Sequence, residues 1–279
     1  MEIRTIHANG VEFAYLALGE GPLALCLHGF PDTAHTWRHL MPELAARGYR
    51  AVAPFMRGYA PTEVPADGAY EDAALAADVR ALHEELGGDE RGVIVGHDWG
   101  AFPVYATAHL FRRAVTLAVP PIAAQLAGFF DYEQLKRSFY IFLFQTGIAE
   151  SAVRGPGFLE NLWRDWSPGY DAARDLEFVR DSLAGEQNLR AALGYYRAAL
   201  GTTPPTGRHP AAEPATAGEI LYLHGTRDGC LGPELAKDVL GHLPPGSRAE
   251  LVADAGHFLH LERPEEVNRL ILDWLGPAS

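Results

Sequence analysis

The feature that most restricts this chain is a series of short, almost wholly apolar runs with amphipathic helical patterns between them. Leu23-Ala24-Leu25-Cys26-Leu27, Tyr49-Arg50-Ala51-Val52-Ala53, Gly92-Val93-Ile94-Val95 and Ala114-Val115-Thr116-Leu117-Ala118 are too short for helices and too continuously apolar for half-exposed strands. Such runs are strands covered on both faces, the condition of the central strands of a parallel sheet. Between them, residues 71–87 place Leu75, Val79, Leu82 and Leu86 on one apolar helix face among acids and Arg80. Strand, helix, strand repetition with short connections gives a doubly wound sheet, in which ligands collect beyond the carboxyl ends of the strands. Ahead of this, Asn9-Gly10 is a two-residue hairpin signal, so residues 2–8 and 11–18 are expected as an antiparallel pair.

The alternation stops after Pro120-Pro121. From 122 to 215 there is no strand pattern, only helix-like stretches rich in aromatics. Alternation resumes at 219–223, followed by a helix near 232–241, a strand near 248–253 and a last helix over 264–275. The expected organisation is one core formed by 1–121 and 216–279, with a helical cap inserted as 122–215 and a Thr/Pro-rich return linker from Thr202 to Pro214. A chain of 279 residues, 48% hydrophobic and 21% charged, is long enough for such a core plus its insertion and is neither disordered nor fibrous. The formal charge of -13 is spread along the chain and disfavours phosphate backbones, so no nucleic-acid partner is expected. Met1-Glu2-Ile3-Arg4-Thr5 lacks a secretory core, and no apolar run approaches the roughly 20 residues of a bilayer span, so a cytoplasmic location without a membrane partner is expected. The two cysteines, Cys26 and Cys230, have no metal-ligand spacing and are expected as free thiols.

Val93-Ile94-Val95-Gly96-His97-Asp98-Trp99-Gly100-Ala101 reads as a buried strand, a Gly-x-Asp-x-Gly turn and a helix. Small flanking residues let a chain turn sharply there and hold one side chain exposed at the strand's end, the geometry of a nucleophile turn. Taken alone, Asp98 reads equally well as the cap of the following helix. As a nucleophile, a carboxylate suits displacement at saturated carbon, forming an ester that a second step hydrolyses. That second step needs a base and a carboxylate to orient it. In this architecture the chain order is nucleophile, acid, histidine. Asp228 follows the strand 219–223, and His257, in Ala255-Gly256-His257-Phe258, follows the strand 248–253. Among twelve histidines, His224 and His260 are the nearest rivals to His257, and Asp254 is the rival to Asp228. His28-Gly29-Phe30-Pro31 follows the first central strand, so the backbone N–H groups of Phe30 and Trp99 are the expected oxyanion donors. Pro31 has no N–H to offer.

These residues, with Arg57-Gly58-Tyr59, resemble the α/β-hydrolase superfamily over nearly the whole chain, and within it the Asp-nucleophile branch of epoxide hydrolases and haloalkane or haloacetate dehalogenases. The resemblance implies an α/β-hydrolase fold with an inserted helical cap, and no metal or organic cofactor. Epoxide hydrolases of this branch carry two cap tyrosines that hydrogen-bond the epoxide oxygen. Tyr140, five residues before Gln145, and Tyr196, before Arg197, match their spacing, with Tyr195 as the alternative. Haloalkane dehalogenases usually have Asn where Phe30 stands, and haloacetate dehalogenases arginines just after the nucleophile, where this chain has Trp99-Gly100-Ala101-Phe102. The implied activity is hydrolysis of a small apolar or aryl epoxide by water. Hydrolytic dehalogenation by the same Asp98, or a non-catalytic ligand-binding role, are the alternatives. Phe30, Pro31, Trp99, Phe144 and Phe258 are the expected substrate-pocket residues. Phe55 stands where relatives often have an acid, which bears on substrate size at the pocket floor. A homodimer is compatible with the sequence but not specified by it.

Overall fold

The computed structural model describes residues 2–201, 203–207, 209 and 218–278. Eight strands, β1 (Ile3–Ala8), β2 (Val11–Leu18), β3 (Leu23–Leu27), β4 (Arg50–Pro54), β5 (Val93–His97), β6 (Arg113–Leu117), β7 (Ile220–Gly225) and β8 (Arg248–Val252), form one sheet in the order β1-β2-β4-β3-β5-β6-β7-β8. The hairpin β1–β2 and the pair β2–β4 are antiparallel, and every other pair is parallel. All residues of β3, β5 and β7 are buried, whereas the edge strands β1 and β8 are largely exposed. Each fully buried Val, Ile or Leu in these strands contributes about 1.5–3 kcal/mol by leaving water.

The core helices are α1 (Leu40–Ala46), α2 (Asp72–Glu85) and α3 (Ala101–Thr107). Helix α2 buries Leu75, Val79 and Leu82, the face expected from their spacing, and it ends where Gly87 takes φ +65°. Seven helices follow β6: α4 (Ile122–Leu126), α5 (Tyr132–Arg137), α6 (Phe139–Leu143), α7 (Ala149–Val153), α8 (Phe158–Trp166), α9 (Ala173–Ser182) and α10 (Glu186–Ala199). The chain then returns to β7 and closes with α11 (Leu259–Glu262) and α12 (Pro264–Leu275). Of the expected return linker, 202, 208 and 210–214 lie outside the described residues, as does the 215/216 boundary. The single helix expected near 232–241 is instead two 3-10 turns, Pro233–Ala236 and Val239–His242. Asp238 leaves helical geometry between them and divides the segment into two single turns. Among the described residues no helix is long and apolar enough to cross a membrane.

Helices α8 and α10 dock on the loops at the carboxyl edge of the sheet. The Trp163 ring stacks on Phe258 at 3.5 Å, and its indole N–H donates to the Pro31 carbonyl. The Trp166 carbonyl accepts from both Gly229 N–H and His257 N–H, joining the loops after β7 and β8. The Tyr195 hydroxyl donates to the Arg57 carbonyl at 2.9 Å. Arg57 itself is fully buried, paired with Asp78 through Nε at 2.6 Å and Nη2 at 2.5 Å.

Candidate active site

Strands β3, β5, β7 and β8 deliver four loops to one place, because parallel strands end on the same edge. Asp98 begins the 3-10 turn between β5 and α3 at φ +52°, a left-handed conformation costing an L-residue of order 1 kcal/mol. It is held there by contact: Phe30 N–H donates to Asp98 Oδ1 at 2.7 Å. Glycines make that approach possible. A Cβ on Gly29 would collide with Asp98 Oδ1 and lie 2.5 Å from Trp99 N, and one on Gly100 would collide with the Leu27 carbonyl. The Phe30 amide thus holds one carboxylate oxygen, and the Trp99 amide follows on the same turn.

The other oxygen, Oδ2, lies 3.4 Å from His257 Nε2, an ion-pair contact without hydrogen-bond geometry. His257 Nδ1–H donates to Asp228 Oδ2 at 2.9 Å, and Asp228 Oδ1 accepts from the N–H groups of Cys230 (2.7 Å) and Leu231 (2.9 Å). All three side chains are buried. Burial opposes a charge on His257, but Asp228 and then Asp98 outweigh it and carry its pKa up to about 10. Burial alone would raise Asp98, yet the His257 imidazolium, with His97 and the Phe30 amide, holds it below the usual carboxylate range. The resting pair is thus carboxylate and imidazolium.

The rival residues are committed elsewhere. His97 Nε2–H donates to the His257 carbonyl at 3.0 Å, which turns its ring away from the Asp98 carboxylate, and burial together with the His257 charge lowers its pKa to about 3. His28 accepts from Met56 N–H, His224 is bonded to Tyr222 and the Leu231 carbonyl, and His260 to Thr36. Asp254 is exposed. Two buried clusters among the described residues, Asp32 with His97 and His260, and Asp228 with Cys230 and His257, bring together three groups of the kind that ligate metals.

A cavity of about 220 Å³ opens beside Asp98, with Trp99, Tyr140, Tyr196 and Cys230 in its wall and Phe129, Leu126 and Leu200 toward its outer part. The hydroxyl of Tyr140 lies 3.3 Å from Cys230 Sγ, and the Tyr196 hydroxyl is buried without a hydrogen-bond partner. The rings of the two tyrosines meet edge to face at 5.6 Å. Burial pushes both phenols up, Cys230 and the Asp98 charge adding to it for Tyr140 and the Asp98 charge for Tyr196, where the Trp99 side chain works the other way. The residues that accompany these tyrosines in sequence hold their helices together: Gln145 Nε2 donates to the Tyr196 carbonyl at 3.1 Å, and Arg197 Nε to the Phe144 carbonyl at 3.0 Å. Tyr195, by contrast, turns its hydroxyl onto Arg57 and outside this cavity.

Four of the expected pocket residues do not line this cavity. Phe30 and Phe144 pack behind it against the Tyr196 ring, and Phe258 is covered by its stack on Trp163. Pro31 faces α8 through its carbonyl. Each is in a second layer because Tyr140, Tyr196 and Trp99 fill the first. Phe55 likewise packs against His35 and not on the cavity floor. The wall residues Cys230, Leu231 and Val119 were not anticipated, although their place just after β7 and β6 is the signal that marks them. A larger cleft of about 520 Å³ lies between α5 and the 233–242 turns, lined by Arg137, Glu234 and Lys237, and none of the groups above reaches it.

Comparison with known proteins shows the family and the fold. A sequence profile described as the alpha/beta hydrolase fold matches residues 22–264. The chain is 31% identical to epoxide hydrolase 3 of Xenopus tropicalis, covering 96% of this chain and 75% of that protein. It is 30% identical to epoxide hydrolase A of Mycobacterium tuberculosis, over 98% and 96% of the two chains. Among solved structures, a Bacillus megaterium epoxide hydrolase in complex with an inhibitor superposes with a TM-score of 0.82 at 29% identity, over 98% of this chain and 99% of that one.

Proposed function

This chain belongs to the α/β-hydrolase fold family, and we propose that it hydrolyses small apolar or aryl epoxides to vicinal diols through an ester on Asp98. The observation that carries the reading is the placement of Tyr140 and Tyr196 in one cavity with Asp98. Two buried phenols facing a carboxylate are suited to receive an epoxide oxygen while the carboxylate attacks carbon.

Asp98 Oδ1 is held by the Phe30 amide, so Oδ2 is the oxygen free to attack. As the Oδ2–carbon bond forms, the epoxide C–O bond breaks and its oxygen takes a proton from a tyrosine. Esterification removes the negative charge 3.4 Å from His257 Nε2. The imidazolium loses one of the two charges that sustain it and returns a proton to the tyrosinate. Neutral His257, oriented by Asp228, then takes a proton from water, and the hydroxide adds to the ester carbonyl. The resulting oxyanion sits at Oδ1, which the Phe30 amide already holds, with the Trp99 amide as the proposed second donor. Collapse releases the diol alkoxide, which takes the proton on His257, and the Asp98 acid gives its own proton back to His257. The insertion 122–215, with its helices α4 to α10, acts as the lid, and the cytoplasm is the working compartment in this reading.

The test is incubation with an aryl epoxide and, separately, with haloalkanes and haloacids, measuring diol and halide. Diol from the epoxide is expected; halide without diol would overturn the reading in favour of dehalogenation. His257→Gln should accumulate a species heavier by one substrate mass on the intact protein. No adduct would exclude the covalent route.

A further inference from the structure

The cavity beside Asp98 has a second carboxylate in its wall. Asp72, the first residue of α2, shares that wall with Asp98, and among the described residues no arginine, lysine or histidine lines it. Asp98 has His257 as its ion-pair partner at 3.4 Å, whereas among the described residues Asp72 has neither an ion pair nor a side-chain hydrogen bond. Burial is the only influence on the Asp72 carboxyl, and it pushes the pKa up. Asp72 is half-buried where Asp98 is buried, so this carboxylate stands nearer the mouth.

A carboxylate that gives up water without gaining a partner is costly, and an arriving cation removes that cost. The rest of the wall suits an organic cation. Trp99, Phe102 and Phe129 supply aromatic rings, the first two with centroids 4.9 Å apart, and Leu126, Ala199 and Leu200 supply apolar surface for a carbon chain. Ammonium groups are attracted to aromatic faces as well as to carboxylates. We propose that Asp72 is a specificity-determining residue that binds an ammonium group, so that the preferred substrates are apolar or aryl epoxides carrying a cationic amine away from the oxirane. This rests on the epoxide reading above. Asp72 makes and breaks no bond: the ester still forms on Asp98, and the ammonium is held while it does. The formal charge of -13 draws cations toward the whole protein, but only a contact inside the cavity distinguishes one substrate end from another of the same shape.

The alternative is that Asp72 serves only the first turn of α2, where an acid is favourable on its own account. That role gives no preference between a charged and an uncharged substrate end. The probes are terminal epoxides ending in a trimethylammonium group and their tert-butyl isosteres, made with a series of spacer lengths. The measurement is kcat/KM for diol formation in the parent, Asp72→Asn and Glu85→Gln. Glu85 is exposed at the far end of the same helix and outside the cavity wall, so its variant removes one charge from the protein without touching the site. At the best spacer the parent should favour the ammonium over its isostere by about 10-fold, mainly through KM, as one half-buried charge pair with an aromatic face would give. Asp72→Asn should bring that ratio close to one, and Glu85→Gln should keep it. Equal kcat/KM for both ends at every spacer in the parent, a ratio undiminished in Asp72→Asn, or an equal loss in Glu85→Gln would each overturn the proposal. The parent ratio decides the matter even if Asp72→Asn does not fold. No diol from either series would overturn the epoxide reading itself, whereas diol from both without a charge preference overturns only this inference.

Discussion

Asp98→Asn removes one negative charge at nearly constant shape, and it mimics the uncharged ester on which the second half-reaction depends. Asp98 Oδ2 lies 3.4 Å from His257 Nε2. Coulomb's law at an effective dielectric near 20 gives about 5 kcal/mol for unit charges at that distance. At about 1.4 kcal/mol per pKa unit this could move the imidazole by about 3 to 4 units. The Phe30 amide already draws part of the charge onto Oδ1, so the expected fall is smaller, from about 10 to about 7. The assay is an NMR titration of selectively labelled histidine, comparing parent, Asp98→Asn and Asp228→Asn. The sign of the accompanying stability change follows. A group whose pKa is raised on folding stabilises the protein fully below its unfolded value, near 6.5, and that stabilisation is lost as pH rises through about 10. Asp98→Asn should therefore lose less stability between pH 7 and 10 than the parent does. A His257 pKa that stays near 10 in Asp98→Asn would refute the reasoning, because the base would then remain protonated in the ester and could not activate water.

Other expectations follow from single contacts. Gly29→Ala puts a methyl group against Asp98 and 2.5 Å from Trp99 N, so kcat for the epoxide should fall by about 10²–10³ while circular dichroism stays native. Tyr195→Phe removes a buried bond to the Arg57 carbonyl and should cost about 1 kcal/mol in urea unfolding together with a fall in kcat as α10 loses its anchor, whereas Tyr196→Phe should slow ester formation with little change in stability. Arg57→Met strands the buried Asp78 carboxylate, and the unfolding free energy should drop by about 3–5 kcal/mol; an unchanged denaturation midpoint would contradict the buried-pair account.

The central strands were legible because burial on both faces leaves a local mark, an unbroken apolar run, and the first two strands from the Asn9-Gly10 hairpin between them; each strand lies within two residues of its expected limits. Helix α2 was legible for a similar reason, since Leu75, Val79 and Leu82 repeat on one face. The 233–242 turns were not, because their apolar residues keep helical spacing while the backbone breaks at Asp238. Asp98, Asp228 and His257 could be placed at carboxyl ends of strands without coordinates, since a parallel sheet brings those ends together. What spacing alone could not decide was which hydroxyl of the Tyr195-Tyr196 pair faces the cavity.

That choice depends on the rotation of α10, and the rotation is fixed from a distance. The Arg57 carbonyl takes one hydroxyl, 138 positions away in sequence, and Gln145 takes the Tyr196 carbonyl from the turn after α6, 51 positions away. Adjacent residues on a helix point about 100° apart, so anchoring Tyr195 on the core loop necessarily swings Tyr196 toward another face. The Tyr140 to Cys230 contact spans 90 positions and is of the same kind. Residues whose roles follow from where a strand ends can be read from a chain one segment at a time. Those that select between neighbouring side chains are set where the lid meets the core, and a change at Arg57 or Gln145 should therefore reach the cavity chemistry through Tyr196 without touching the substrate.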